Sequence, residues 1–134
     1  MDFSLTLGVA NLEKTESFYR ELLAMSPEHI HDPRGETVCL LLSCGSQRIT
    51  FLPLPVMERQ HPALLQNLSR SPLGVGMQLE FSCDCLDEVI RRAKQRRWPI
   101  AYELEDCEHG RRELWLHDPD GYLVILNEEL GTLG

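Results

Sequence analysis

One pattern of strands and a helix occurs twice in this sequence, and it limits the fold more than any other feature. In the first copy, Phe3 to Val9 alternates between apolar and small or polar residues, which predicts a half-buried strand. A helix follows, with its N-cap at Asn11 and its end near Met25. In the second copy, Met77 to Cys83 alternates in the same way before another amphipathic helix. The copies superpose at an offset of 74 residues, which indicates an internal duplication.

The rest of each copy is predicted to form short strands. In the first copy they span about Pro27–Asp32, Thr37–Leu42 and Arg48–Leu52, and in the second Ile100–Leu104, Arg112–His117 and Tyr122–Leu126. The pattern predicts a single α+β domain, residues 1–134, with a first module at 1–55, a linker at 56–76 and a second module at 77–134. A short helix is expected in the linker at Pro62–Ser69. One helix covers only one face of so small a sheet, so the two βαβββ modules are expected to form an incomplete barrel around a concave cleft.

The charge and the cysteines exclude several classes of function. Thirteen basic residues against 21 acidic residues give a net charge of −8, which disfavours nucleic acid and anionic membranes as partners. No stretch approaches the roughly 20 apolar residues of a membrane span. The five cysteines are odd in number and lack the spacing of a disulfide framework or a zinc site. These features favour a cytoplasmic protein.

Strand alternation indicates which side chains line the concave cleft, the natural place for a small molecule. On the first strand of each copy they are Ser4, Thr6 and Gly8, and Gln78, Glu80 and Ser82. Glu80 is the one carboxylate placed there, either as a general base or partner of a cationic ligand, or paired with Arg48 or Arg112. Trp115 and Tyr102 lie in predicted strands, where they either stack on a flat ligand or pack in the core.

Two segments carry a resemblance to a known family: "LTLGVANLEKTESFYRELL" from Leu5 and "HGRRELWLHDPDGYLVIL" from His109. Together with the duplication, they resemble the vicinal oxygen chelate superfamily of glyoxalase I, extradiol dioxygenases, fosfomycin-resistance transferases and bleomycin-resistance proteins. The resemblance implies two βαβββ modules. In the enzymes of this superfamily it also implies a divalent metal, held by His and Glu at the start of each first strand and the middle of each last strand.

The resemblance assigns those ligand places to Ser4, Thr50, Gln78 and Ile125. Serine and threonine hydroxyls are weak ligands, and isoleucine cannot coordinate a metal. Gln78 offers one neutral amide, which cannot hold the ion alone. We therefore predict no metal and no cofactor, and we assign no catalytic residue.

The histidines leave alternatives open. His29 and His31 alternate on one predicted strand and share a face, as surface residues or as a metal pair. His109 is expected in a loop over the cleft mouth, and His117 at the turn or the rim of the cleft.

The resemblance to bleomycin-resistance proteins implies a metal-free protein that sequesters or senses a small polar or cationic organic ligand, and that forms a homodimer. The net negative charge favours a cationic partner. The alternative is a glyoxalase- or dioxygenase-like metalloenzyme with displaced ligands, such as Gln78 and Glu80 with a histidine. The predicted ligand-binding residues are Ser4, Thr6, Arg48, Thr50, Gln78, Glu80, Trp115 and Ile125. The cleft forms either within one chain or across a dimer.

Overall fold

The structure, a computed structural model, describes residues 1–129. The chain divides into two compact units, residues 1–73 and residue 74 onward, each with one four-stranded mixed sheet and its own helices. The predicted α+β class and the two βαβββ modules are confirmed. No helix among the described residues is both long and apolar enough to span a membrane.

The first module contains β1 (Leu5–Val9), α1 (Leu12–Ser17), a π-helical segment (Phe18–Leu22), β2 (Glu28–His31), β3 (Thr37–Cys44), β4 (Gln47–Pro53), α2 (Leu54–Gln60) and a 3₁₀ turn (Leu68–Arg70). The sheet order is β1-β4-β3-β2, with β1 parallel to β4 and the other pairs antiparallel. Asn11 is the N-cap of α1, as predicted, because its Oδ1 accepts from the backbone N–H of Lys14 at 3.0 Å.

Helix and sheet in the first module share a core formed by one face of the strands. Tyr19 of the π-helical segment is fully buried, and its ring centroid lies 4.8 Å from that of Phe51 on β4. Leu7 and Val9 of β1 and Leu40 of β3 are buried in the same module. The alternation predicted for β1 therefore has a physical cause, since every second side chain is removed from water.

Helix α2 corrects the expectation for the linker. The helix predicted at Pro62–Ser69 is wrong, because the helix lies at Leu54–Gln60, directly after β4. A Cβ on Gly8 would lie 2.6 Å from Leu54 Cδ2, so α2 packs closely on β1 at this point. Gly8 is buried there, and the expectation that it lines an open cleft is also wrong.

The second module repeats the topology of the first. It contains β5 (Gln78–Ser82), α3 (Leu86–Gln95), β6 (Ile100–Asp106), β7 (Arg111–His117) and β8 (Leu123–Glu129). The sheet order is β5-β8-β7-β6, with β5 parallel to β8. The amphipathic helix predicted after β5 is α3, and its apolar stripe is buried: Leu86, Val89, Ile90 and Ala93. It packs on β7 and β8.

The N-terminus of α3 is capped by a residue that is distant in sequence. Cys85 occupies the N-cap position but makes no side-chain cap hydrogen bond. Instead Glu128 Oε2, from β8, accepts from the backbone N–H of Leu86 at 2.7 Å. A carboxylate at a helix N-terminus is stabilised by the helix dipole as well as by the hydrogen bond.

Candidate ligand-binding site

Four side chains form a row across the second sheet, one from each strand. Glu80 on β5 is paired with Ile125 on β8, Ile125 with Trp115 on β7, and Trp115 with Tyr102 on β6. We call these four residues the second-module row. Along the strands, their neighbours include residues that are buried on the α3 side of the sheet. Because successive side chains of a strand point to opposite faces, the row lies on the face turned away from α3.

The aromatic end of this row is held by specific contacts. The rings of Tyr102 and Trp115 meet edge to face, with centroids 5.0 Å apart and planes at 62°. Trp115 Nε1 donates to Glu113 Oε2 at 3.0 Å, which fixes the orientation of the indole. Tyr102 is 47% exposed, whereas Ile125 is 4% exposed. The row therefore combines a buried aliphatic centre with an aromatic ring open to solvent.

Glu80 forms the acidic end of the row, and its partner differs from both predicted ones. Its Oε1 accepts from Asn127 Nδ2 on β8, and the residue is exposed. Arg112 pairs with other acids instead, because it is opposite Glu128 in the register and so lies on the other face from the row. Its Nη2 lies 2.9 Å from Asp87 Oδ1, and its Nη1 lies 3.4 Å from Glu128 Oε1.

An acidic groove of about 860 Å³ adjoins Glu80 in the second module. Seven carboxylates and one guanidinium line it. The residues are Glu80, Ser82, Cys83, Asp84, Cys85, Asp87, Glu88, Arg111, Glu113, Asn127, Glu128 and Glu129. So many negative side chains around one concavity lower the electrostatic potential inside it and attract a cation.

Several groove carboxylates lie beside guanidinium groups. Hydrogen bonding and charge from Arg91 lower the pKa of the Glu88 carboxyl. The Asp87 carboxylate, with Glu105 and Glu128, raises the pKa of the Arg112 guanidinium despite partial burial. Arg111 Nε lies 3.6 Å from Glu113 Oε1. These contacts reduce the excess of negative charge but leave Glu80, Asp84 and Glu129 without an ion pair among residues 1–129.

The first module has an equivalent row with different chemistry. Thr6 on β1 is paired with Thr50 on β4, Thr50 with Leu41 on β3, and Leu41 with Glu28 on β2. Thr6 and Thr50, both predicted ligand-binding residues, are therefore neighbours. Ser4 lies one residue before β1 and is exposed, and Arg48 is exposed on β4 opposite Ser43. Their roles in ligand binding remain predictions.

The donors of the second module do not fit the metal that the resemblance implies. Gln78 is opposite Leu123 in the register, and Leu123 is opposite His117. Gln78 and His117 thus lie two strands apart, and a neutral amide with one imidazole falls short of the three protein ligands of a catalytic zinc ion. Ile125 contributes no donor. In the first module the assigned places hold only the hydroxyls of Ser4 and Thr50.

Sequence reasoning missed the groove because its acids come from separate parts of the chain. Glu113 lies on β7, and Asn127 and Glu128 lie beyond the predicted end of β8. The run Asn127-Glu128-Glu129 immediately after an apolar strand was the available signal. The predicted strand ended at Leu126, so these residues were not assigned to the ligand site.

Two histidine groups lie outside the row. In the β6–β7 hairpin, Asp106, Glu108 and His109 bring their ligand atoms within 4.8 Å of one another, and His109 Nδ1 lies 2.7 Å from Asp106 Oδ2. This contact lowers the pKa of the Asp106 carboxyl. His29 and His31 share one side of β2, as predicted, with ring centroids 5.9 Å apart. The backbone oxygen of His117 accepts from Trp98 Nε1 at 2.9 Å.

Solved structures with the same fold are numerous. A virulence protein from Salmonella typhimurium is 19% identical, with a TM-score of 0.60 over 96% of this chain and 95% of that one. A lactoylglutathione lyase from Agrobacterium tumefaciens is 19% identical, with a TM-score of 0.58 over 96% and 92%. A glyoxalase/bleomycin resistance protein/dioxygenase family enzyme from Burkholderia phytofirmans PsJN is 15% identical, with a TM-score of 0.70 over 95% and 97%.

At these identities the structures support the fold alone. No curated protein matches the sequence. A family model, by contrast, matches residues 3–126, which is nearly the whole chain and includes both modules. The chain belongs to the Glyoxalase/Bleomycin resistance protein/Dioxygenase superfamily.

Proposed function

We propose that the chain is a binding protein, metal-free at its ligand site, that sequesters or senses a small cationic organic ligand at the second-module row and the adjoining acidic groove. The observation that carries the proposal is the row itself. At the place where the enzymes of the superfamily hold a metal-ligating carboxylate, this chain has Ile125 between Glu80 and Trp115. An apolar and aromatic surface that ends in a carboxylate suits an organic cation better than a metal ion.

Each part of the row contributes a different interaction. Tyr102 and Trp115 offer ring surface for dispersion and cation–π contacts, worth about 0.5–2 kcal/mol. Ile125 is buried between them and the acid, so it keeps the centre of the row apolar. Glu80 supplies a carboxylate whose attraction for a cationic nitrogen at 4 Å reaches about 4 kcal/mol at an effective dielectric constant of 20, less in salt. The groove carboxylates add longer-range attraction.

Two measurements test this proposal together. The first is elemental analysis of the protein purified without chelator and of its Glu80→Gln variant, which should have the same content of zinc, nickel, manganese and iron because no ion is bound at the row. The second is a thermal-shift screen of flat organic cations against neutral compounds of the same shape. A ligand at a hundredfold excess over its Kd stabilises the protein by roughly 2.7 kcal/mol. Binding should weaken as ionic strength rises.

Matched variants locate the ligand. Glu80→Gln removes one charge from the row and should weaken binding of the cation about tenfold, because the charge-assisted contact is lost. Glu103→Gln removes one charge from β6 on the opposite face, since Glu103 is paired with the buried Leu114. That control should leave the affinity unchanged.

Stoichiometric metal bound through Glu80 would replace the proposal with the metalloenzyme alternative. Equal loss of affinity in both variants would mean that the overall charge, and not the row, attracts the ligand. Stabilisation by the neutral compounds alone would also overturn the choice of a cation.

A further inference from the structure

The edge strand of the first sheet carries two imidazoles that the proposed function does not use. His29 and His31 on β2 have nearly parallel rings, with centroids 5.9 Å apart and planes at 16°. His29 is paired with Leu40, which belongs to the buried face, whereas Thr50 and Leu41 belong to the other face. The pair therefore lies on the helix side of the sheet, away from the first-module row.

A carboxylate from helix α1 joins the pair. Glu16 Oε2 is in contact with His29 Nε2 across the gap between helix and strand. The other ring nitrogen of His29, Nδ1, lies 2.8 Å from Thr37 Oγ1 on the neighbouring strand β3. That hydrogen bond fixes the ring so that Nε2 is directed at the carboxylate, the role that outer partners play for metal-binding histidines.

We propose that His29, His31 and Glu16 bind a divalent transition ion of the zinc, nickel or copper class. Two imidazoles and one carboxylate are the donor set that such ions prefer. Two imidazoles on one tetrahedral ion have ring centroids roughly 5 Å apart, given metal–nitrogen distances of about 2.0–2.1 Å. The observed 5.9 Å is near that value, and both residues are exposed, so rotation of the His31 ring completes the set.

Binding exchanges a proton for the ion. The contact between His29 Nε2 and the Glu16 carboxylate requires a proton between nitrogen and oxygen. When the ion binds, that proton leaves for solvent, Nε2 donates its lone pair to the metal, and the carboxylate becomes a second ligand. The ion then links α1 to the edge strand β2.

A nearby guanidinium limits the affinity and provides a specific test. Arg20 Nη2 lies 3.3 Å from the same Glu16 oxygen and donates to the backbone oxygen of Pro27 at 2.6 Å. Its charge repels a metal ion and competes for the carboxylate. Removing that charge should therefore tighten binding, an outcome that a merely structural role of the cluster would not produce.

The experiment is a calorimetric titration of the full, untagged chain with Zn²⁺ at pH 7.5. We expect one equivalent to bind, at least tenfold more weakly in His29→Gln and in His31→Gln. Thr37→Val keeps the β-branched shape but removes the outer hydrogen bond and should weaken binding about tenfold. Arg20→Gln should tighten it. His109→Gln is the matched control, since it removes the single imidazole of the β6–β7 hairpin cluster.

Paramagnetic broadening of the histidine resonances by Ni²⁺ gives a readout on the unaltered protein. The signals of His29 and His31 should broaden before those of His61, His109 and His117. Failure to bind one equivalent, or loss of binding in His109→Gln with none in His29→Gln and His31→Gln, would overturn the proposal. Uniform broadening of all five histidines would do the same.

Discussion

Replacement of Ile125 by Glu restores the residue type of the superfamily's metal enzymes and tests whether this place is an apolar centre. Ile125 is 4% exposed, and its burial stabilises the fold by roughly 1.5–3 kcal/mol. The introduced carboxylate would be buried and about 5 Å from Glu80 on the neighbouring strand, two effects that raise its pKa. A rise of about two pKa units corresponds to roughly 3 kcal/mol. The total loss is about 4–6 kcal/mol at pH 8.

The pH dependence of the free energy of unfolding separates the cost of burying a charge from the cost of losing the apolar side chain. Ile125→Gln shares the lost apolar burial but carries no charge, so it is the matched control. An acid whose pKa is raised in the folded state destabilises the fold increasingly as pH rises above its unfolded pKa of about 4.3, and the penalty is complete above the folded pKa. The two variants should therefore have similar free energies of unfolding near pH 4.5 and differ by roughly 3 kcal/mol at pH 8.

Urea unfolding followed by circular dichroism at pH 4.5, 6 and 8 measures these differences. If the Glu and Gln variants have the same free energy of unfolding at every pH, the carboxylate is solvated and Ile125 is not a buried apolar centre.

Three further predictions concern the scaffold. Gly8→Val should destabilise the first module by about 1–3 kcal/mol in thermal unfolding, because a Cβ would lie 2.6 Å from Leu54 Cδ2; stability equal to the parent would mean that α2 does not pack there. Glu128→Ala should cost about 1–2 kcal/mol and Glu128→Gln less, since the amide oxygen can still accept from Leu86; equal losses would show that the hydrogen bond is unimportant. Alkylation followed by mass spectrometry should modify the exposed thiols before those whose pKa burial raises. The exposed ones are Cys85 and Cys107, and the others are Cys39, Cys44 and Cys83. Early labelling of the second group would contradict the burial.

Local periodicity was sufficient to predict most of the strands and helices. The alternation in β1 and β5 and the stripe of α3 follow from burial of one face, so they are visible in the sequence. Asn11 could be identified as a cap because its acceptor reaches a backbone N–H three residues on. Helix α2 was not predicted because it lies in a proline-rich segment, although proline is favourable in the first turn of a helix.

The tertiary contacts of the site could not be predicted in this way. The cap of α3 comes from Glu128, 42 residues after Leu86, and nothing local links the two. The predicted ion pair between Glu80 and Arg112 is wrong for a different reason. Residues on neighbouring strands share a face only if the register allows it, and Arg112 is opposite Glu128 and not opposite a row residue. The sequence contained the alternation but not the register.

The duplication allows the two rows to be compared position by position. Thr6 and Glu80 are 74 residues apart, and so are Leu41 and Trp115, so the rows occupy equivalent places in the two sheets. One copy has hydroxyls at the β1–β4 pair, and the other has a carboxylate beside an aliphatic side chain. Hydroxyls alone, or a single carboxylate, fall short of the three protein ligands of a catalytic metal site. The first row thus has hydroxyls and one carboxylate, Glu28 at its far edge, whereas the second has a carboxylate beside an apolar and aromatic surface. The aromatic rings are the reason to assign recognition of a cation to the second module.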